Sequence, residues 1–139
     1  HGKPLNWLTI KKLADLKTMD IFINFPLMDI NRNTLRNRLT NADDMDIAAF
    51  TLFWGGDDWK DLMYAPDLFG DLDKIGSNQK LATAFQNRLK DVAGFTFVPA
   101  PILMRNSKGG PLYYLYFASH QSVAQKIILS IFDKYRHVS

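Results

Sequence analysis

The segment Asp20-Ile-Phe-Ile-Asn-Phe-Pro26 constrains the fold more than any other part of this chain. A strand buried on both faces reads as an apolar run without alternation, and Asp20 to Phe25 fits that pattern. Pro26 has no N–H to give a sheet ladder, so strand pairing should end there. In open α/β sheets, ligands sit beyond the carboxyl ends of the strands. The corner Asn24, Phe25 and Pro26 is therefore a candidate site as well as a strand end.

The surrounding pattern is mixed α/β. Trp7, Ile10, Leu13 and Ala14 recur at helical spacing, which predicts an amphipathic helix from Asn6 to Leu16. Leu27 to Leu39 reads as a helix carrying Arg32, Arg36 and Arg38, and Met45 to Phe53 as another. Trp54-Gly55-Gly56 must turn, and Asp57 or Asp58 can cap a short helix from Trp59 to Tyr64. Ala65 to Gly76 reads as a loop with a helical turn. Ser77 is a fitting N-cap for a helix over Asn78 to Val92, with Gly94 as its left-handed terminator. Phe95 to Met104 is rich in β-formers but broken by Pro99 and Pro101, which suits an edge or bulged strand. Ser107-Lys108-Gly109-Gly110 predicts a hairpin turn into Leu112 to Ala118. Ser119 or Gln121 can cap a last helix, Ser122 to Tyr135.

With 139 residues the chain is one domain or a fragment of one, and it starts at His1-Gly2 like a piece of a longer protein. Only three strands are evident, and the first is left with an open edge, which calls for an upstream half of the same domain or another chain to complete the sheet. Zero cysteines exclude disulfides and thiolate metal ligands, and fit the cytoplasm. No apolar run approaches the ~20 residues of a membrane span. A net charge of +3 is only mildly basic, and no like-charge block marks a nucleic-acid footprint.

Several residues invite a chemical role beside a structural one. Arg32 and Arg36, four apart on the expected helix, can hold a phosphate or carboxylate, or simply face water. Trp54 and Trp59 flank a Gly-Gly-Asp-Asp turn that can line a substrate or act as a hydrophobic staple. The two aspartates are too few oxygen ligands for a hard cation. His1, His120 and His137 are scattered, and Ser119-His120 lacks a third group to orient a dyad. Arg105 and Lys108 with Tyr113, Tyr114 and Tyr116 form a basic, aromatic hairpin that can stack on single strands or pack in a sheet.

Four segments together resemble the three-Cys-motif partner proteins, a bacterial family with a class I, Rossmann-like methyltransferase fold. They are Trp7-Leu-Thr-Ile10 with Leu13-Ala14, Asp20 to Pro26 with Ile30 and Arg32, Phe53-Trp-Gly-Gly-Asp-Asp-Trp59, and Pro111 to His120 with Lys126-Ile127. The resemblance implies the C-terminal half of such a domain. Asp20 to Phe25 would be a late parallel strand, and Phe95 to Ala118 the closing antiparallel hairpin with flanking helices. It also implies S-adenosylmethionine as methyl donor for a full-length parent, with none held by this chain alone, because no Gly-x-Gly loop is present. Asn24, Phe25, Pro26, Arg32, Trp59 and Arg105 would then line the substrate side. Asn24-Phe25-Pro26 is reminiscent of the Asn-Pro-Pro-Tyr corner of amino-methyltransferases. The alternative function is a non-catalytic module that binds a three-Cys-motif protein, another partner or nucleic acid.

Overall fold

The computed structural model describes residues 6–121 and 123–138. His1-Gly2, and Ser122 as the start of the last helix, lie outside the described residues. Helix α1 is Trp7–Asp15, capped by the Asn6 side chain, which accepts from the Leu8 N–H at 2.9 Å. Strand β1 is Ile21–Phe25 and runs through Pro26 into helix α2, Leu27–Asn33. A 3-10 turn at Leu39–Asn41 leads to helix α3, Asp44–Trp54, and helix α4, Trp59–Met63. Strands β2, Tyr64–Pro66, and β3, Leu72–Lys74, form a separate antiparallel hairpin. Helix α5, Asn78–Asp91, strands β4, Ile102–Arg105, and β5, Pro111–Ala118, and helix α6, Val123–Val138, complete the order.

The fold is mixed α/β, and its main sheet is antiparallel throughout, in the order β1-β5-β4. This corrects the expectation of a parallel strand at Asp20 to Phe25. The long strand β5 occupies the centre and pairs with β1 from Ile21↔Ala118 to Phe25↔Tyr114, and with β4 on its other side. β1 is not buried on both faces either. Ile23 and Phe25 enter the core, whereas Phe22 and Asn24 are exposed. Phe22 is apolar on a face with little cover, 59 % exposed and 5.1 Å from the Phe117 ring, so the sequence run shows no alternation although the burial does. β4 lies at the sheet edge, as expected, but starts only at Ile102, after Pro99 and Pro101, not at Phe95.

Helices cover the sheet on two sides. On one face Phe25, Tyr114 and Tyr116 pack with Trp7 and Ile10 of α1, Phe50, Phe53 and Trp54 of α3, and Leu81, Phe85 and Leu89 of α5. On the other, Phe132 of α6 meets Ile102 and Phe117. The centre of the larger core is aromatic. The Phe25 ring lies 5.0 Å from Phe85, 5.5 Å from Phe53 and 6.1 Å from Tyr116, mostly edge-on, which suits the ring quadrupoles.

Two further expectations are corrected. The helix begun at Leu27 ends at Thr34 instead of running to Leu39. Thr34 is buried and turns its hydroxyl to the Asp46 carbonyl at 3.3 Å, and the Leu35 N–H bonds back to the Ile30 carbonyl. Arg36 is therefore outside the helix, not on one helical face with Arg32. Ala65 to Gly76 holds the β2-β3 hairpin, not a helical turn.

The Trp-Gly-Gly-Asp-Asp-Trp stretch is a packing knot. Gly55 ends α3 with φ +89°, and a Cβ there would lie 2.2 Å from Cδ1 of the Trp7 indole. The Arg88 guanidinium sits 4.6 Å from the Trp7 ring centroid and 5.5 Å from that of Trp54. It donates to the Trp54 and Gly55 carbonyls at 2.9 and 3.3 Å and pairs with Asp58 at 3.7 Å. Asp58 makes no side-chain cap; its carboxylate accepts from the Trp54 indole N–H at 3.1 Å. One arginine thus ties α1, the end of α3 and α5 together.

Candidate functional site: a basic pocket beside the small hairpin

The early end of α2 creates a cavity. Asn31 and Arg32 project from its last turn, Leu35, Arg36 and Asn37 follow it, and Lys74 of β3 closes the opposite wall around an open space of about 500 Å³. The wall is held by the backbone: the Lys74 N–H donates to the Asn37 carbonyl at 2.8 Å. The Tyr64 hydroxyl fixes the other side, donating to the Arg36 carbonyl at 2.5 Å.

The polar groups in this cavity are arranged by one another. Lys74 Nζ donates to Asn31 Oδ1 at 3.0 Å and to the Leu35 carbonyl at 3.2 Å. An ammonium has three donors, so one remains for a ligand. The Asn31 amide donates in turn to Asn78 Oδ1 at 3.0 Å, which fixes its orientation. Arg36 spends one weak bond, at 3.3 Å, on the Arg32 carbonyl. Burial lowers the Lys74 pKa from its ordinary value, because a half-covered ammonium loses hydration.

Charge is what singles this cavity out. Arg32, Arg36 and Lys74 have no carboxylate within ion-pair distance among the described residues. The nearby acids of the hairpin, Asp67, Asp71 and Asp73, lie 3.8, 3.5 and 3.6 Å from Arg38 instead. Three cations and two asparagines line this open space, a composition suited to an anion. Besides the Lys74 amine, no hydroxyl, thiol, imidazole or carboxylate side chain lines the cavity among the described residues.

Of the residues picked out in the sequence, Arg32 and Arg36 lie here. Asn24 is exposed on β1, opposite Leu115, and Pro26 starts α2. Phe25 is 0 % exposed, with its ring in the aromatic core, so it has no face on which a base can stack. Trp59 is also 0 % exposed, and its indole N–H is spent on the Thr51 hydroxyl at 3.1 Å. These two are corrected from substrate-lining to core residues. Arg105 closes the β4-β5 turn by donating to the Gly109 carbonyl at 3.0 Å. Its register partner Pro111 is four residues along β5 from the partner of Asn24, roughly 13 Å at strand rise. Asn24 and Arg105 therefore do not converge.

The other candidates are equally resolved. Tyr114 and Tyr116 are buried, and the Tyr116 hydroxyl donates to the Ala82 carbonyl at 2.7 Å, so neither is free to stack on nucleic acid. Ser119 is buried and donates to Asp20, while His120 contacts the Ala14 carbonyl at 2.6 Å and the Thr96 hydroxyl at 3.2 Å. Serine and histidine face different partners and form no dyad. Lys74, Asn31 and Asn37 were missed. Their only signal is the hairpin that brings Lys74 back to α2, and it reads as a loop in the sequence.

S-adenosylmethionine does not fit the residues present. β1 runs from Phe25 through Pro26 into α2 without a glycine whose backbone would admit a nucleoside or carboxylate. The chain matches no family model, no curated protein and no solved structure. No helix among the described residues is long and apolar enough to cross a membrane.

The Tyr64 latch should be visible at high pH. Burial pushes its phenol from 10.0 up to about 12. Between those values the unfolded chain has released the proton and the folded one has not, so stability falls as pH rises. Chemical denaturation at stepped pH should show a loss above pH 10 that is smaller in Tyr64→Phe.

Proposed function

We propose that this chain is the anion-binding, substrate side of a methyltransferase-like domain, with Arg32, Arg36 and Lys74 holding a phosphate or carboxylate of the substrate. The observation that carries this is the lining of one open cavity by three cations that have no carboxylate partners among the described residues. Two features of the sheet favour the methyltransferase-like part. β1 and β4 both run antiparallel to β5, and so point in the same direction on either side of it. Among the described residues no strand pairs with the outer edge of β1, beside which Phe22 is exposed. An upstream half that added parallel strands there would complete the sheet, cover Phe22 and carry the S-adenosylmethionine site. This reading keeps the resemblance to the three-Cys-motif partner proteins, a bacterial family.

Isothermal titration with inorganic phosphate tests the pocket. Binding in the millimolar range is expected at low salt, weakened at least about tenfold in Arg32→Ala. Equal binding by wild type and Arg32→Ala would remove the site. Calorimetry of a longer parent with S-adenosylmethionine tests the enzymatic part; no heat at millimolar donor would leave the second reading, a module that binds a three-Cys-motif protein or another partner. The exposed edge of β1 is what favours that reading.

A further inference from the structure

Among the described residues the cavity is lined by one nucleophile, the Lys74 amine. β3 fixes where it stands, because the Lys74 N–H is bonded to the Asn37 carbonyl at 2.8 Å and the side chain is half-buried. Nζ donates to Asn31 Oδ1 at 3.0 Å and to the Leu35 carbonyl at 3.2 Å, and has no third partner among the described residues. Both partners can only accept. The Asn31 amide nitrogen is turned away, to Asn78 Oδ1 at 3.0 Å. A neutral amine has two N–H groups and one lone pair. With both N–H groups held by these acceptors, the lone pair takes the third tetrahedral position, which no protein group occupies.

The surroundings favour that neutral form. Burial lowers the Lys74 pKa, so more of the amine is unprotonated at a given pH. No carboxylate holds it as an ammonium: the nearby Asp71 and Asp73 pair with Arg38 instead. Lysines that lose hydration in this way are the ones that attack carbonyl carbon.

The arginines narrow the electrophile. Arg32 and Arg36 line the same cavity, and guanidinium groups suit a phosphate because they stay charged and can donate in pairs. A ligand anchored there by its phosphate would offer any carbonyl group it carries to the amine at high effective concentration. An open space of about 500 Å³ admits a small molecule of this kind. Imine formation also asks least of the walls. Acyl transfer needs donors for an oxyanion, whereas an imine needs only water to carry protons, and this cavity is open to water.

We infer that Lys74 forms an imine with a small aldehyde whose phosphate rests on Arg32 and Arg36. The inference rests on the cavity being the anion site proposed above, and adds the second group that its ligand carries. The Nζ lone pair adds to the carbonyl carbon, and the C=O π pair moves to oxygen. Water relays a proton from nitrogen to that oxygen, giving a carbinolamine. Its hydroxyl takes a proton from solvent and leaves as water while the nitrogen pair closes the C=N bond. The protonated imine returns one proton to solvent on becoming neutral. The sum is amine plus aldehyde giving imine plus water, with no change of oxidation state.

Pyridoxal phosphate is the probe, with borohydride to trap the imine and peptide mass mapping to locate it. On the whole chain, Lys74 should be labelled at least about tenfold faster than the exposed Lys11, Lys80 and Lys90. Pyridoxal, which lacks the phosphate, should lose that preference. Saturating inorganic phosphate should remove it too, leaving the exposed lysines unaffected. Lys74→Arg should keep the wild-type circular dichroism and phosphate binding, since arginine supplies a charge and donors, and should lose the fast labelling. Even labelling of all lysines in a protein that binds phosphate by calorimetry overturns the imine and leaves the anion site standing. Equally fast labelling of Lys74 by pyridoxal and pyridoxal phosphate also overturns it, because the arginines would then play no part. A wild type that binds no phosphate overturns the anion site and the imine with it.

Discussion

Replacing Phe25 by alanine is expected to cost about 4 kcal/mol of folding stability, the middle of the range for a buried aromatic. The ring is fully buried and meets Phe50, Phe53, Phe85 and Tyr116 within 5.0 to 6.2 Å. These partners come from α3, α5 and β5, so no single element can move inward to fill the space left behind. Urea denaturation should show the loss as a lower midpoint with an unchanged slope, and thermal unfolding as a fall on the order of 10 °C. Asn24→Ala, one residue earlier on the exposed face, should stay within about 0.5 kcal/mol of wild type. This contrast separates a core role from a binding role for the corner: loss of ligand binding without loss of stability in Phe25→Ala is not expected.

Gly55→Ala is expected to destabilise by about 3 kcal/mol. Two separate costs act together. A left-handed residue at φ +89° with a Cβ costs about 1 kcal/mol. The added methyl would also meet the Trp7 ring at 2.2 Å, and a buried indole can yield only by disturbing Phe85 and Arg88, at a cost of the order seen for overpacking. The same urea experiment measures it. Trp7→Leu in the Gly55→Ala background should recover part of the loss, because the shared contact makes the two changes non-additive. Simple addition of the two single losses would refute the clash.

Much of the fold is legible in the sequence. The cap at Ser77, the turn at Gly55, the left-handed Gly94 at φ +94° and the hairpin at Gly109 are local devices, and each acts where its residue stands. The strand direction of Ile21–Phe25 is not local. Its apolar run is equally consistent with a buried parallel strand and with an edge strand whose outer face keeps an exposed Phe22, and only the partner β5 decides between them. The early stop of α2 is invisible for a similar reason, since it depends on Thr34 reaching a carbonyl twelve residues away.

The site was legible only at Arg32 and Arg36. Their companions depend on the β2-β3 hairpin, whose short strands contain Pro66, Asp67 and Gly70 between or beside them and lack the alternation that marks a strand. The residues that look most chemical in the sequence, Phe25, Trp59 and the tyrosines of β5, look so because they are aromatic. In this protein their aromatic character builds the core. The cations that matter are ordinary in the sequence and become distinctive only by lacking carboxylate partners.

The account stands most directly on where an anion binds. Titrating inorganic phosphate into isotopically labelled protein and following amide chemical shifts tests this residue by residue. Saturable shifts confined to Asn31, Arg32, Leu35, Arg36, Asn37 and Lys74, and lost in Arg32→Ala, are the expected result. Shifts spread over the basic surface without saturation, or centred on the Arg105 hairpin, would contradict it.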